Sequence, residues 1–417
     1  MQKQEPTVLT GKPKSLKRNN RRLFLDLLRN SSQLSVAEIS EKINLSKTTV
    51  MKTIDYYVDK GYILPVGKGE STDEGGKKPS LYMFNRNIGH VFSVQIFPNE
   101  IFSILTDLNT TILAERSVPI RENESLPTVM DVIAESFHEL LDRTGTEKSK
   151  VIGIAVGNHG ITDSDKGISL YAPHFPSWGA NAQLKQEIQT RIKKKIPVYT
   201  DNQIRFQVFA EKIKGVARKN KNIVLIEGGE GLVAGIIVKN QIKRGVHGLA
   251  GEIGHMILNP FEEETCVCGG KGCFEVLISV TRLLKKCRAG YETHSDSLIF
   301  SGRGPDDLTP GVIFDAANQG DSFARILVDE VIGWFAIGIS NLILTHDPEI
   351  IIIHGIYTQA GTYFLEELRK RTNQIALTCL DKHVEIAFST IGKNQGVIGG
   401  AAYVVHSYFE GAALYDS

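Results

Sequence analysis

The stretch that most constrains this chain is residues 251–275, GEIGHMILNPFEEETCVCGGKGCFE. Three of only five cysteines lie there, spaced Cys-x-Cys-x4-Cys, and a histidine precedes the first of them by eleven residues. One imidazole and three thiolates form a four-ligand set of the kind that structural zinc uses. Glycines within the loop let it close around an ion without side-chain clashes. The stretch therefore predicts a structural Zn²⁺ site with the ligands His255, Cys266, Cys268 and Cys273.

The cysteines have another interpretation, as unpaired thiols or as one disulfide with a spare thiol. A disulfide fits poorly with the polar, basic start of the chain, which lacks the apolar core of a secretory signal. We also find no apolar run of the ~18 residues that a membrane span needs. These features predict a cytoplasmic protein with reduced thiols and no membrane partner.

Charge is unevenly distributed along the 417 residues, a length that predicts two or three domains. Residues 1–85 contain 15 Lys and Arg against 9 Asp and Glu, whereas the remainder contains 33 against 38. A basic first fifth on a mildly acidic body predicts that the front contacts a polyanion.

The pattern of residues 1–85 predicts a winged helix-turn-helix domain with a basic N-terminal arm. After the arm, Leu23, Phe24, Leu27 and Leu28 have helical spacing, Ser35-Val-Ala-Glu38 is a capping box, and a serine-capped helix begins near Ser46. Two strand-like runs around STDEGG predict a β-wing. The alternative is a three-helix bundle used for protein contacts. The predicted contacts to double-stranded DNA are Arg18, Arg22, Ser46, Lys47, Thr48, Thr49, Lys52, Lys77 and Lys78.

Residues 86–417 alternate between strand-like and helical patterns in an order, βββαβαβα with insertions, that predicts a two-lobed α/β body. We expect a small lobe of about 86–200 with a C-terminal helix of about 395–417, and a large lobe of about 201–394. Ligands of such bodies bind in the crevice between the lobes, at strand ends.

The motif GLAGEIGHM followed by Cys-x-Cys-Gly-Gly-x-Gly-Cys-x-Glu resembles the signature of the ROK family (repressors, open reading frames and sugar kinases). The front resembles the DNA-binding part of its xylose-repressor and N-acetylglucosamine-repressor branch. The resemblance implies an actin/hexokinase-like (ribonuclease H-like) body, a sugar in the cleft, and homodimers or homotetramers.

The resemblance also implies which residues hold the sugar. Asn202, Glu252, His255 and Glu275 stand at the sugar-binding positions of the family, and Gln203 and Asn181 offer further amide contacts. Trp178 is either a platform for the sugar or a packing residue. His159 is a candidate for determining which ligand binds. The predicted sugar-binding residues are Asn181, Asn202, Gln203, Glu252, His255 and Glu275.

Three departures from the family's kinases argue against phosphoryl transfer. In the first phosphate loop, Gln95 stands at the position of the aspartate, and Phe97 and Pro98 stand at the positions of the glycines. Proline has no N–H to donate to a phosphate. Glu230 brings a negative charge into the second loop, and Gln203 stands where the kinases have their general base. We therefore expect a repressor that is not an enzyme. The alternatives are a sugar kinase with an added DNA-binding front, and a DNA-bound regulator whose cleft docks a protein instead of a sugar.

Overall fold

A computed structural model describes residues 13–69, 78–193, 195–229, 231–375, 384–392, 394–411 and 415. The N-terminal unit consists of three helices and an antiparallel three-stranded sheet with the order β1-β3-β2. Its elements are α1 (Pro13–Arg29), β1 (Leu34–Ser35), α2 (Val36–Ile43), α3 (Lys47–Asp59), β2 (Ile63–Lys68) and β3 (Ser80–Phe84).

Local signals set the helix ends of this unit as the sequence predicts. The capping box is present, because the Ser35 hydroxyl accepts from the Glu38 N–H and the Glu38 carboxylate accepts from the Ser35 N–H. Ser46 caps α3, and Gly61 follows α3 with a φ of +75°. The apolar face of α1 differs from the prediction. Leu23, which was expected to be buried, is 46% exposed, whereas Leu25 is fully buried. The buried face of α1 is therefore rotated about the helix axis relative to the predicted one.

The first half of the body is a five-stranded sheet with the order β10-β7-β4-β5-β6. Strands β4, β7 and β10 are parallel, and β5 and β6 are antiparallel additions. The helical sequence pattern of residues 131–144, DVIAESFHELLDRT, belongs to a helix that begins earlier, at Leu126, because Ser125 caps it. The β8–β9 hairpin has no counterpart in the predicted pattern. The elements are β4 (His90–Ile96), β5 (Glu100–Thr106), β6 (Ile112–Pro119), α4 (Leu126–Thr144), β7 (Val151–Asn158), β8 (Ile161–Asp163), β9 (Ile168–Tyr171), α5 (Leu184–Ile192) and β10 (Val198–Asn202).

The second half is another five-stranded sheet, with the order β13-β12-β11-β14-β15 and a mixture of parallel and antiparallel pairs. Its largest core lies between this sheet and the helices that follow the cysteine-rich stretch. The elements are α6 (Gln203–Ile213), β11 (Ile223–Gly228), β12 (Leu232–Val238), β13 (Gln241–Ile242), α7 (Phe274–Ile278), α8 (Val280–Ala289), α9 (Pro310–Asn318), α10 (Ser322–His346), β14 (Ile350–Gly355), α11 (Gly361–Ile375), β15 (Glu385–Phe388) and α12 (Gln395–Glu410).

Helix α10 is long and apolar enough to cross a membrane, contrary to the expectation that no segment would qualify. Of its qualifying window, however, 56% is buried inside the protein. The helix packs against α7, α8, α9 and α11. Its apolar composition is accounted for by this position in the core of the second half.

Helices α6 and α12 pack against each other between the two sheets. Gly399 makes their close approach possible, because a Cβ atom there would lie 1.7 Å from the carbonyl oxygen of Phe206. α12 also contacts β4 and β7, while α6 contacts β11 and β12. The helix pair therefore joins the two halves of the body.

The N-terminal unit packs against the end of α12. The hydroxyl of Tyr62 is hydrogen-bonded to that of Tyr408, and the guanidinium of Arg29 lies 3.8 Å from the centroid of the Phe409 ring. Arg22 is paired with Glu410. Polar and aromatic contacts together fix the unit to the body.

Candidate ligand cleft and metal centre

The four predicted metal ligands come together in the structure. The ligand atoms of His255, Cys266, Cys268 and Cys273 all lie within 4.8 Å of one another. His255 Nδ1 is 3.6 Å from the sulfur of Cys266, and the sulfurs of Cys268 and Cys273 are 3.6 Å apart. A tetrahedral zinc with normal bond lengths would separate two sulfurs by ~3.8 Å and a sulfur from a nitrogen by ~3.6 Å. The donor set and its spacing thus fit one metal ion.

The disulfide alternative is wrong for this cluster. Cys266, Cys268 and Cys273 are free thiols, and the 3.6 Å between two of the sulfurs is well above the ~2.05 Å of a disulfide bond. Cys287 is buried, as predicted, whereas Cys379 lies outside the described residues.

Backbone hydrogen bonds shape the metal loop, residues 255–273. The Cys266 N–H donates to the Gly270 carbonyl at 2.8 Å, and the Gly269 N–H donates to the Cys266 carbonyl at 2.8 Å. At Gly272, with φ of +73°, a Cβ atom would lie 2.0 Å from the carbonyl oxygen of Asn259. Only glycine fits this position, and the local sequence therefore determines the loop.

Two carboxylates flank the metal loop. Glu275, in the first turn of α7, accepts a hydrogen bond from the Leu232 N–H at 2.9 Å, and its other oxygen is 3.8 Å from the sulfur of Cys266. Glu252 immediately precedes the short 3₁₀ turn that carries His255. Burial raises the pKa of the Glu252 carboxyl, an effect that His255 partly offsets. Because His255 turns Nδ1 towards the sulfurs, Nε2 is its remaining nitrogen for another partner.

Asn202, another predicted sugar ligand, lies at the junction of β10 and α6. Its side-chain oxygen caps α6 by accepting from the Ile204 N–H at 3.1 Å. Its amide nitrogen donates to the carbonyl of Gly160 at 2.7 Å. The side chain thus links the β7–β8 turn to the start of the helix.

A buried ion cluster beside Asn202 was not predicted. Asp201, 1% exposed, is 2.8 Å from both the Arg205 and the Arg244 guanidinium groups. Arg205 also donates to the carbonyls of Gly248 and Ala250, at 2.6 and 3.4 Å. The cluster fixes the loop that leads to Glu252 against the end of β10. The i,i+4 spacing of Asp201 and Arg205 is its only local signal in the sequence.

Two glutamines occupy the positions where the resemblance predicts an aspartate of the first phosphate loop and the general base. Gln95 is 2% exposed and Gln203 is 4% exposed, and the Gln95 amide donates to the Gln203 side-chain oxygen. The Gln203 amide nitrogen lies 3.3 Å from Nδ1 of His159. Burial lowers the pKa of His159 to about 4, so its imidazole is neutral at pH 7. These contacts form an uncharged network.

The β4–β5 connection is a tight turn. The Phe97 N–H donates to the Glu100 carbonyl at 2.8 Å, which closes the hairpin. The ring of Phe97 packs against an apolar cluster that includes Phe102 and Val397. This turn therefore has no free N–H group at Phe97 or Pro98 to donate to a phosphate. Glu230, of the second predicted loop, lies outside the described residues.

Trp178 is a packing residue and not a sugar platform. It is 8% exposed, stacks on Phe175 with ring centroids 4.4 Å apart, and donates from Nε1 to the Glu124 carbonyl at 2.9 Å. Asn181 is exposed in a turn with φ of +62°. No hydrogen bond within the described part of the chain joins it to the other predicted sugar ligands.

A further acid–histidine pair lies at the strand ends of the second sheet. Glu227 of β11 is 4.0 Å from His354 of β14 and 3.3 Å from the Gln207 amide. Burial raises the pKa of Glu227 and lowers that of His354 to about 4. The His354 imidazole is consequently neutral at pH 7. An acid at the end of an apolar strand, in LIEGG, is the signal that sequence reasoning overlooked.

The predicted DNA contacts lie in different settings. Ser46 and Thr49 share a hydrogen bond of 2.9 Å at the start of α3, beside exposed Lys47, Thr48 and Lys52. Arg18 and Lys78 are exposed, Arg22 is engaged by Glu410, and Lys77 lies outside the described residues.

The ROK family profile matches residues 91–407, about three quarters of the chain. The chain belongs to the ROK family. This establishes the predicted actin/hexokinase-like type of body with mixed α/β sheets, and it confirms the resemblance carried by the cysteine motif.

Individual ROK relatives include both regulators and kinases. The xylose repressor of Caldicellulosiruptor bescii is 28% identical over 390 residues, which cover 94% of this chain and 96% of the relative. The glucokinase of Thermotoga maritima is 30% identical over 275 residues, 66% of this chain and 85% of the relative. A ROK family transcriptional regulator described as a homologue of the E. coli MLC protein has a similar structure. Its TM-score is 0.79 at 23% identity, and the match covers 96% of this chain and 98% of that one.

Proposed function

We propose that this protein is a sugar-responsive transcriptional repressor that binds operator DNA and does not phosphorylate its ligand. The observation that carries this proposal is the exposed first turn of α3, in a unit placed ahead of a ROK body. The family profile begins at residue 91, whereas the match to the xylose repressor covers 94% of the chain. The N-terminal unit therefore belongs to what this chain shares with a named repressor.

The N-terminal unit supports this proposal as a winged helix-turn-helix domain of about residues 1–85. A tight turn joins α2 to α3, and the β2–β3 hairpin follows as the wing. Val50, Ile54 and Tyr57 bury one side of α3, which leaves Lys47, Thr48 and Lys52 at the surface. Hydroxyl and ammonium groups at the start of a helix suit contacts to bases and phosphates in a major groove.

DNA binding can be measured by fluorescence anisotropy on a site selected from random duplexes. We expect Lys47→Ala combined with Thr48→Ala to weaken binding by at least about tenfold, the size of one or two lost DNA contacts. Lys285→Ala is the matched control, because Lys285 is exposed on α8, far along the chain from α3. Equal affinity in all three proteins would contradict the α3 assignment and favour the protein-contact alternative.

The sugar is proposed to bind beside the metal loop, to Asn202, Glu252, His255 and Glu275, with Gln203 as a further contact. Both carboxylates are half-buried, and the Leu232 N–H fixes that of Glu275, which suits the recognition of hydroxyl groups in fixed directions. We propose Zn²⁺ as the ion of the cluster and give it a structural role. With four protein ligands it has no open coordination position, and it would hold His255 with Nε2 free for the sugar. Asn181 is proposed as a further contact from the loop before α5.

Lack of kinase activity is supported by the Gln95–Gln203 amide pair and by the closed turn at Phe97. A neutral amide is unable to accept the proton of an attacking hydroxyl group. Similarity to a glucokinase raises the alternative that this protein phosphorylates a sugar, and an activity assay tests it. Purified protein with Mg·ATP and a panel of hexoses and pentoses should produce no ADP above background, and sustained turnover on any of them would contradict the proposal.

The sugar response is testable by melting the full-length protein with a panel of sugars. A ligand that binds only the folded state raises the melting temperature, and Glu252→Gln should abolish that shift. If no sugar shifts the melting temperature, the cleft is not a sugar site, and the alternative of a docked protein is favoured.

As a repressor the protein would act in the cytoplasm, as a homodimer or homotetramer. Two N-terminal units in such an assembly would bind half-sites separated by whole turns of DNA. Ligand binding would change their spacing only if the sugar binds two arrangements of the lobes with different affinities.

A further inference from the structure

A cavity of about 340 Å³ lies outside the proposed sugar contacts, along the free edge of β10. Its walls come from five elements: the β8–β9 turn, α5, β10, the loop after β13, and α12. The residues that matter for its chemistry are Ser164, Lys185, Tyr199, Thr200, Arg244 and Tyr403. A cavity of this volume is at the small end of the range for metabolite sites.

The cavity carries an excess of positive charge. Asp201 is one carboxylate shared by two guanidinium groups, so the cluster of Asp201, Arg205 and Arg244 has a net charge of +1. Arg205 is 2% exposed and donates to two backbone carbonyls, whereas Arg244 is 28% exposed and lines the cavity. The uncompensated charge is therefore presented on the Arg244 side.

Lys185 adds a second cation to the same wall. It forms no ion pair with the described residues, and the exposed carboxylate of Asp165 at the rim is the only acid among the lining residues. The cluster of Asp201, Arg205 and Arg244 (+1), Lys185 (+1) and Asp165 (−1) together have a net charge of +1, which favours an anionic ligand.

Two hydroxyl groups in the wall have no partner within the described part of the chain. Thr200 is 2% exposed, and its hydroxyl oxygen is buried without a hydrogen bond. The hydroxyl oxygen of Ser164 is likewise buried and unpaired. A buried polar atom without a partner costs free energy, so a ligand that reaches either hydroxyl would gain a hydrogen bond.

We propose that this cavity is a second ligand site, which binds the phosphate group of a small metabolite independently of the sugar cleft. Arg244 and Lys185 would bind the phosphate oxygens, since a guanidinium matches phosphate geometry and an ammonium supplies a point charge. The hydroxyls of Thr200 and Ser164 donate to the remaining oxygens. The rings of Tyr199 and Tyr403 offer an apolar surface to the organic part of the ligand.

The site also has connections to both ends of the molecule. Arg244 shares Asp201 with Arg205, next to Asn202 of the proposed sugar cleft. Tyr403 lies on α12, whose last turns contact the N-terminal unit. A ligand here would therefore contact the elements that separate the cleft from the DNA-binding unit.

The test is isothermal titration of the full-length protein with inorganic phosphate, glycerol 3-phosphate and glucose 6-phosphate, with glucose as the neutral control. We expect at least one phosphate compound to bind. Lys185→Gln and Arg244→Lys should each weaken that binding by about tenfold, and Thr200→Val by about threefold. Arg244→Lys keeps the charge that pairs with Asp201, and Thr200→Val keeps the shape of the side chain, so both variants should fold. Lys285→Gln should leave the affinity unchanged, because Lys285 is exposed on α8, outside the cavity.

Each outcome has a defined meaning. Tighter binding of an ester than of inorganic phosphate identifies an organic phosphate as the ligand, and equal binding identifies free phosphate. No binding of any phosphate compound to the wild-type protein would overturn the proposal. Loss of binding in Glu252→Gln with full binding in Lys185→Gln would also overturn it, because the compound would then occupy the sugar cleft. Neutral sugars that shift the melting temperature test the repressor proposal separately.

Discussion

The metal loop and the glutamine network are both polar sites, yet they are built in opposite ways. All four metal ligands lie within nineteen consecutive residues, and hydrogen bonds inside the loop shape it. Gln95, His159 and Gln203 come from three separate segments, at the ends of β4 and β7 and at the start of α6. The first site depends on its own sequence, whereas the second exists only when the sheet and helix pair are assembled.

The largest expected effect comes from breaking the metal loop. Cys273→Ser should lose the bound metal, and its melting temperature should fall by ~10 °C or more, because binding energy at a structural zinc site is folding energy. Metal analysis should find about one zinc per wild-type chain. Cys287→Ser is the control, since Cys287 is a buried thiol outside the cluster. Full metal content in Cys273→Ser would refute the ligand assignment.

A second way to test the comparison is to break a contact that only the assembled fold creates. Arg205→Met leaves Asp201 with Arg244 alone and removes the tie to the Gly248 carbonyl. Because Arg244 still compensates the Asp201 charge, the cost is that of the lost charged hydrogen bonds, roughly 1.5–3 kcal/mol, measurable by urea denaturation. Metal content should remain unchanged, since the loop closes by itself. Arg121→Met, at an exposed position, should change stability by less than about 0.5 kcal/mol.

Acid should weaken the assembled cleft. Burial lowers the pKa of both His159 and His354 to about 4, from the ordinary histidine value of 6.5. The unfolded chain therefore binds these protons more tightly than the folded chain does. Their contribution to stability is complete above pH 6.5 and is lost as the pH falls from 6.5 to about 4. The combined loss should be a few kcal/mol.

Denaturation curves at a series of pH values would measure this loss. The slope between pH 6.5 and 4 should become shallower in His159→Gln, which keeps a hydrogen-bonding side chain without a titrating group. His138→Gln is the control, because His138 is exposed on α4. An unchanged slope in His159→Gln would show that this imidazole is not the group that titrates.

The smallest effect is expected from the glutamine network itself. Gln203→Leu leaves the buried Gln95 amide without its acceptor, at a cost of about 1–3 kcal/mol. Gln203→Asp should not create kinase activity, because the turn at Phe97 still lacks a phosphate cradle. ADP production by Gln203→Asp with any sugar would show that a single side chain separates regulator from kinase.

The same contrast explains what the sequence could predict. The metal ligands, the helix caps at Ser35 and Ser46, and the alternation of strands and helices all follow from local spacing. The pairing of Asp201 with Arg244 and of Glu227 with His354 joins residues more than 40 positions apart, and no local rule predicts it. The exposure of Leu23 and the burial of Trp178 depend on which neighbours each residue meets after folding.

Gly399 has a mechanical consequence. Because Gly399 has no Cβ, the backbones of α6 and α12 are in direct contact at Phe206. We therefore expect the two helices to move together. α12 has 16 residues and is ~24 Å long, with Gly396 against Gln95 at one end and Tyr408 against Tyr62 at the other. A tilt of ~5° about the Gly396 end would displace the far end by ~2 Å, and the N-terminal unit that packs there would move with it.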